Sequence, residues 1–189
     1  MPKIVDHDER RERIVEIVAA MLATVGAEKT TIREIARQSG YSRGFIEHYF
    51  HNKEELITKT IRWINERSLA RADAALAGKT GLAALKVFCE LSLPLTQQVR
   101  DEWKIRMQFW GMAAVSDEHR REQSKRMHVS EKILLGYLEE AQRICRENDV
   151  IFVVDEVIAG FGRTGAMFAS DRWGLEPDIM IAAKGLTSG

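Results

Sequence analysis

Between residues 9 and 142 the sequence offers a helix few interruptions. The whole chain of 189 residues contains three prolines, Pro2, Pro94 and Pro177. Proline in a helix interior removes a hydrogen bond and clashes with the preceding turn, so its scarcity leaves long stretches free to coil. The remaining breaks in this region are Gly26, Ser39-Gly40, Gly78 to Gly81, Gly111 and Ser116-Asp117. Between them apolar residues recur with helical period. Ile14, Ile17, Val18, Met21, Leu22 and Val25 follow the i, i+3, i+4, i+7 rule and predict one apolar stripe. After Asn148 the pattern changes. Five apolar residues, Val150 to Val154, stand in a row and a glycine-rich stretch follows. The expected fold is therefore mainly all-α, with a short C-terminal α/β segment beginning within residues 143–149.

Composition narrows the function classes only slightly. The 28 basic and 28 acidic residues cancel, so bulk charge selects no partner. Two cysteines, Cys89 and Cys145, are too few for a disulfide framework and suit a reducing cytoplasm. The charged opening MPKIVDHDERRER lacks a signal-peptide core. Apolar runs fall far short of the roughly 20 residues that span a bilayer, so no membrane partner is expected. The five histidines show no metal-ligand spacing.

The most informative segment is TTIREIARQSGYSRGFIEHYF, residues 30–50. Thr31 and Glu34 fit a capping box at the start of a short helix with Ile32, Ile35 and Ala36 on one face. Ser39-Gly40 ends it, and Ser42 caps a second short helix that turns Phe45, Ile46 and Tyr49 inward. Two short helices joined by a glycine turn and braced by a longer first helix make a helix-turn-helix. Such a second helix enters the DNA major groove, here with Ser42, Arg43, Gly44, Glu47 and His48 on its exposed side. Arg43 can pair with guanine O6 and N7, and Gly44 lets the backbone approach closely. Thr31, Tyr49 and Lys53 are placed for phosphates. A plain helical bundle also uses such pairs, and residues 1–60 hold 10 basic and 10 acidic groups, so charge does not decide between the two.

Residues 30–56 resemble the TetR family of transcriptional regulators in the turn glycine, the capping serine, Tyr49-Phe50, Lys53 and Leu56 at fixed spacing. Residues 101–135, with DEWKIRMQFW and HRREQSKR, resemble its choline-responsive repressor branch. The resemblance implies an all-helical homodimer that represses from double-stranded operator DNA and is released by a small-molecule effector. It implies that Thr31, Ser42, Arg43, Gly44, His48, Tyr49 and Lys53 face the DNA. The expected domains are residues 1–52, the helix-turn-helix, and residues 53–142, the helical effector and dimer domain. Within the second, Trp103, Met107, Phe109, Trp110 and Met112 serve either as core or as a pocket wall; Trp103, Met107 and Trp110 are the pocket candidates. Indole faces there would suit a quaternary ammonium.

The C-terminal segment has two readings. Gly160-Phe161-Gly162-Arg163-Thr164-Gly165 fits G-x-G-x-x-G, but seven residues, Asp155 to Phe161, separate the strand from its second glycine, and the next apolar run ends in Lys184 rather than an acid. Both features argue against a dinucleotide site. VVDEVIAGFGRTGAMFASDRWGLEPDIMIAAKGLTSG instead resembles the class III pyridoxal-phosphate aminotransferases, over residues 143–189. The resemblance implies that Asp155 would pair with the pyridine nitrogen and Lys184 would form the Schiff base. The segment is expected to be too short for an active site. No catalytic residue and no working cofactor are therefore expected, the alternative being a pyridoxal-phosphate-binding protein. Because strands stand where the family places its last dimer helix, dimerisation is expected to be altered, and the apolar run is an aggregation hazard.

Overall fold

The computed structural model describes residues 7–183. Its elements run α1 (His7–Thr24), α2 (Gly26–Lys29), α3 (Ile32–Ser39), α4 (Arg43–Tyr49), α5 (Lys53–Leu76), α6 (Gly81–Ser92), α7 (Gln97–Val115), α8 (Asp117–Glu147), β1 (Val153–Asp155), α9 (Ala169–Trp173) and β2 (Ile179–Ile181). The mainly helical fold predicted from spacing is present. No helix among the described residues is long and apolar enough to cross a membrane.

The chain divides into two compact units, residues up to 77 with 88–127, and residues 78–87 with 128 onward. In the first, α1 lies against α3, α5 and α7. Its core joins Ile14, Val18, Met21 and Leu22 to Ile35 of α3, Ile46 of α4, Leu56 and Ile61 of α5, and Ile105 and Phe109 of α7. The α1 stripe is shifted from its expected position: Val15 is buried and Val25 is exposed. The cause is local, since α1 ends at Thr24 and Val25 caps α2 ahead of the left-handed Gly26.

One polar side chain ties α7 to the α1–α2 turn. Gln108 Oε1 accepts the Ala27 amide at 2.7 Å, and Gln108 Nε2 donates to the Leu22 carbonyl at 3.0 Å. Removing a partner leaves both backbone groups short of a bond. Gln108→Ala is expected to lower stability by about 1–2 kcal/mol, read from the urea midpoint, whereas an unchanged midpoint would mean that solvent replaces both bonds.

In the second unit β1 and β2 pair in parallel, with Val153 opposite Ile179 and Asp155 opposite Ile181. The intervening chain passes through α9, which ends at the left-handed Gly174. Glu156 anchors this crossover: its fully buried carboxylate accepts both the amide and the hydroxyl of Ser170. The apolar run Val150 to Val154 yields a strand only from Val153, and Ile151, Val153, Ile179 and Ile181 remain exposed. Among the described residues the sheet has two strands, fewer than a parallel sheet buried on both faces presents.

Candidate nucleic-acid interface

The helix-turn-helix forms through local capping. Thr31 Oγ1 accepts the Glu34 amide at 3.2 Å and starts α3. Only this half of the expected capping box is made, because the Glu34 carboxylate turns along the helix to Arg37 and Gln38. Hydrogen bonds from Arg37, then from Gln38, hold that carboxyl down at about 2. Its folded pKa is depressed, so its contribution is complete above the ordinary carboxylate range and fades as pH falls toward that value. Gly40 closes α3 at φ 72°, a left-handed conformation that glycine adopts without a Cβ penalty. Ser42 Oγ then accepts the Phe45 amide at 3.1 Å and starts α4.

Helix α4 buries Ile46 and Tyr49 and exposes Ser42, Arg43, Gly44, Glu47 and His48, the face predicted for DNA. Arg43 Nε donates to Glu47 at 2.7 Å on this open surface, an i,i+4 pair that yields readily to a stronger acceptor. A Cβ built on Gly44 meets no atom within 4 Å, so nothing inside the protein demands glycine there. The His48 ring stands edge-on to Tyr49.

The flanking phosphate candidates divide. Thr31 is exposed at the α3 N-terminus. Tyr49 is largely buried, its hydroxyl hydrogen-bonded to His7 Nδ1 at 2.8 Å. Lys53 opens α5, but its Nζ donates to the Ala27 carbonyl at 2.5 Å, which leaves two of its three protons for a phosphate. Sequence reasoning missed Arg10 and Arg11 of α1. Their guanidiniums lie over the Phe45 and Tyr49 rings at 5.5 and 5.7 Å, bringing two further cations beside α4. The one available signal was the RRER run, which reads as an ordinary solvated helix start.

Helix α7 divides the aromatic and methionine cluster between its two faces. Met107 is 62% exposed and Trp110 39%, and Trp103 donates its indole N–H to the Ser92 carbonyl and packs edge-on against Trp110. These three pocket candidates thus share the outer side of α7. The inner side carries Glu102, Ile105, Arg106, Phe109 and Ala113. Glu102 Oε2 accepts Arg71 at 2.8 Å and Arg106 at 3.4 Å. Burial, then the nearby Arg126 and Arg71 charges, pushes the Arg106 guanidinium down to about 10.

Of the two residues implied for pyridoxal phosphate, only Asp155 lies among the described residues. Asp155 lies exposed at the end of β1, and its Oδ1 accepts the Val157 amide at 2.9 Å. Among the described residues, β1 and β2 leave the apolar side chains of Val153, Ile179 and Ile181 open to solvent beside it. Lys184 lies outside the described residues. Among the described residues no group of three metal-ligating side chains occurs.

Comparison with known proteins separates the chain in the same way. Residues 14–59 match the family model for bacterial regulatory proteins of the tetR family, and residues 132–189 match that for class-III aminotransferases. The fold is similar to that of a transcriptional regulator from Saccharomonospora viridis solved in complex with choline. The TM-score is 0.70 at 22% identity, over 77% of this chain and 74% of that one. A transcriptional regulator from Rhodococcus sp. Rha1 aligns with TM-score 0.64 and 26% identity over 68% of each chain. The acetylornithine aminotransferase of Methanothermobacter thermautotrophicus is 56% identical over 54 residues, 29% of this chain but only 14% of the enzyme. Residues 14–59 thus match the DNA-binding domain type of bacterial tetR regulators, the helical fold is similar to that of solved transcriptional regulators, and a short segment matching class-III aminotransferases is joined to them.

Proposed function

We propose that the chain is a ligand-responsive repressor acting in the cytoplasm, and that α4 reads operator DNA in the major groove. The observation that carries this reading is the free outer face of α4, where Arg43, Gly44 and His48 project behind the cap set by Ser42. Arg43 exchanges Glu47 for a guanine edge; Thr31, Ser42 and Lys53 hold the backbone on either side, and Tyr49 reaches a phosphate only by giving up its bond to His7. Two copies of the chain, one per half-site, supply the specificity that one helix lacks. A small effector acts through the helical half, as the choline complex of the Saccharomonospora protein suggests by analogy of fold. The tail performs no transamination, because Asp155 is exposed and satisfied by its own turn.

Electrophoretic retardation on the DNA upstream of the chain's own gene tests the reading. Arg43→Ala is expected to lose about 1–3 kcal/mol of discrimination at one base position. Lys53→Ala should weaken binding to every sequence and flatten its salt dependence by about one unit of slope. Gly44→Ala separates contact from folding: helix propensity favours alanine by up to about 1 kcal/mol, so the variant should melt no lower yet bind DNA more weakly. If all three bind like the parent, α4 is not the reader.

A further inference from the structure

We propose that the helical half binds a small oxyanion, a carboxylate or a phosphate group, on the guanidiniums of Arg71 and Arg106 with Arg126 beside them, and that this group is the effector chemistry. The inference deepens the ligand-responsive reading above and rests on it for its regulatory meaning.

Three cations, one each from α5, α7 and α8, surround a single carboxylate, Glu102. Arg106 is only 4% exposed, yet its Nε has no hydrogen-bond partner, and Nη1 of Arg71 is buried and equally without one. Buried donors are almost always paired, and unpaired N–H groups beside an excess of positive charge call for an acceptor that brings negative charge. Carboxylate and phosphate oxygens match the guanidinium fork. Further buried polar atoms on the same helices lack partners: Thr58 Oγ1 and Asn65 Oδ1 on α5, and both ring nitrogens of His119 on α8. A quaternary ammonium would meet two uncompensated like charges here and is disfavoured.

The site also has a route to the reader. Arg106 stands two residues before Gln108 on α7, and Gln108 holds the α1–α2 turn at Leu22 and Ala27. Lys53, the first residue of α5, holds the same turn at the Ala27 carbonyl. A ligand that draws Arg106 toward itself acts on the helix that fixes this turn.

The test is thermal melting of the full chain with sodium phosphate, sodium acetate or choline chloride at matched ionic strength. Phosphate or acetate at about ten times its Kd should raise Tm by roughly 3–5 °C, and choline should not. The larger of the two anion shifts identifies a phosphoryl or a carboxylate ligand. The shift should vanish in Arg106→Met; Arg71→Met, at a partly exposed position, gives the same reading if the first variant fails to fold. The favoured anion should also release operator DNA from the parent and not from Arg106→Met, whereas simple screening would act on both. The site falls if neither anion raises Tm, if choline alone does, or if both variants keep the shift. A chain that binds no DNA yet shows an Arg106-dependent anion shift would sink the repressor reading and leave the site standing.

Discussion

Phe109→Ala is expected to destabilise the DNA-reading unit by about 3–5 kcal/mol, the usual range for emptying a buried aromatic site. Phe109 is 1% exposed and sits where α7 meets α1, in one core with Ile105 and the α1 stripe. Its ring also stands edge-on to His119, at 5.2 Å between centroids. The Gln108 bonds fix α7 against the α1–α2 turn, so these two helices cannot close the gap without breaking them. The next residue is the control. Trp110 has a larger ring but lies on the outer face, so Trp110→Ala loses little buried surface and should lower stability by about 1 kcal/mol. Urea unfolding of the two variants side by side measures the difference. Equal losses would mean that the faces of α7 are assigned the wrong way round. Because this core reaches Ile35 and Ile46, Phe109→Ala should also weaken DNA binding without touching the interface.

The features legible in the sequence are those decided within a few residues. Ser42 caps α4 and Gly40 turns left-handed because both events need only the local chain. The capping box at Thr31 was half legible: its hydroxyl arm formed, while Glu34 found Arg37 one turn away on its own helix. The cations over Phe45 and Tyr49 were hidden, since they come from α1 and depend on how three helices pack. The inner face of α7 was hidden for a deeper reason. Charged residues such as Glu102 and Arg106 ordinarily stay in solvent, and the cluster with Trp103, Met107 and Trp110 drew the pocket reading instead. Pairing reverses that, because Glu102 meets Arg71, which is 31 residues away and invisible to any local pattern. The strand signal in Val150 to Val154 was real but overestimated the sheet, since a run suited to burial on both faces has one neighbouring strand among the described residues.

Glu102→Ala is expected to cost about 3–5 kcal/mol, because it removes the carboxylate to which both Arg71 and Arg106 donate. Arg71 is partly exposed and recovers some hydration, which places the expected loss toward the lower end, about 3 kcal/mol. Much of that loss is the penalty of an abandoned buried cation rather than the worth of the bond itself. The double variant Glu102→Ala with Arg106→Met should therefore be more stable than Glu102→Ala alone, an opposite-sign coupling visible in a double-mutant cycle. Acetate offers a further check, since a free carboxylate can occupy the position that Glu102 vacated. Its stabilising effect should be larger in Glu102→Ala than in the parent and absent in the double variant. If Glu102→Ala unfolds at the parent's urea concentration, the three guanidiniums are adequately hydrated and have no need of an anion from any source.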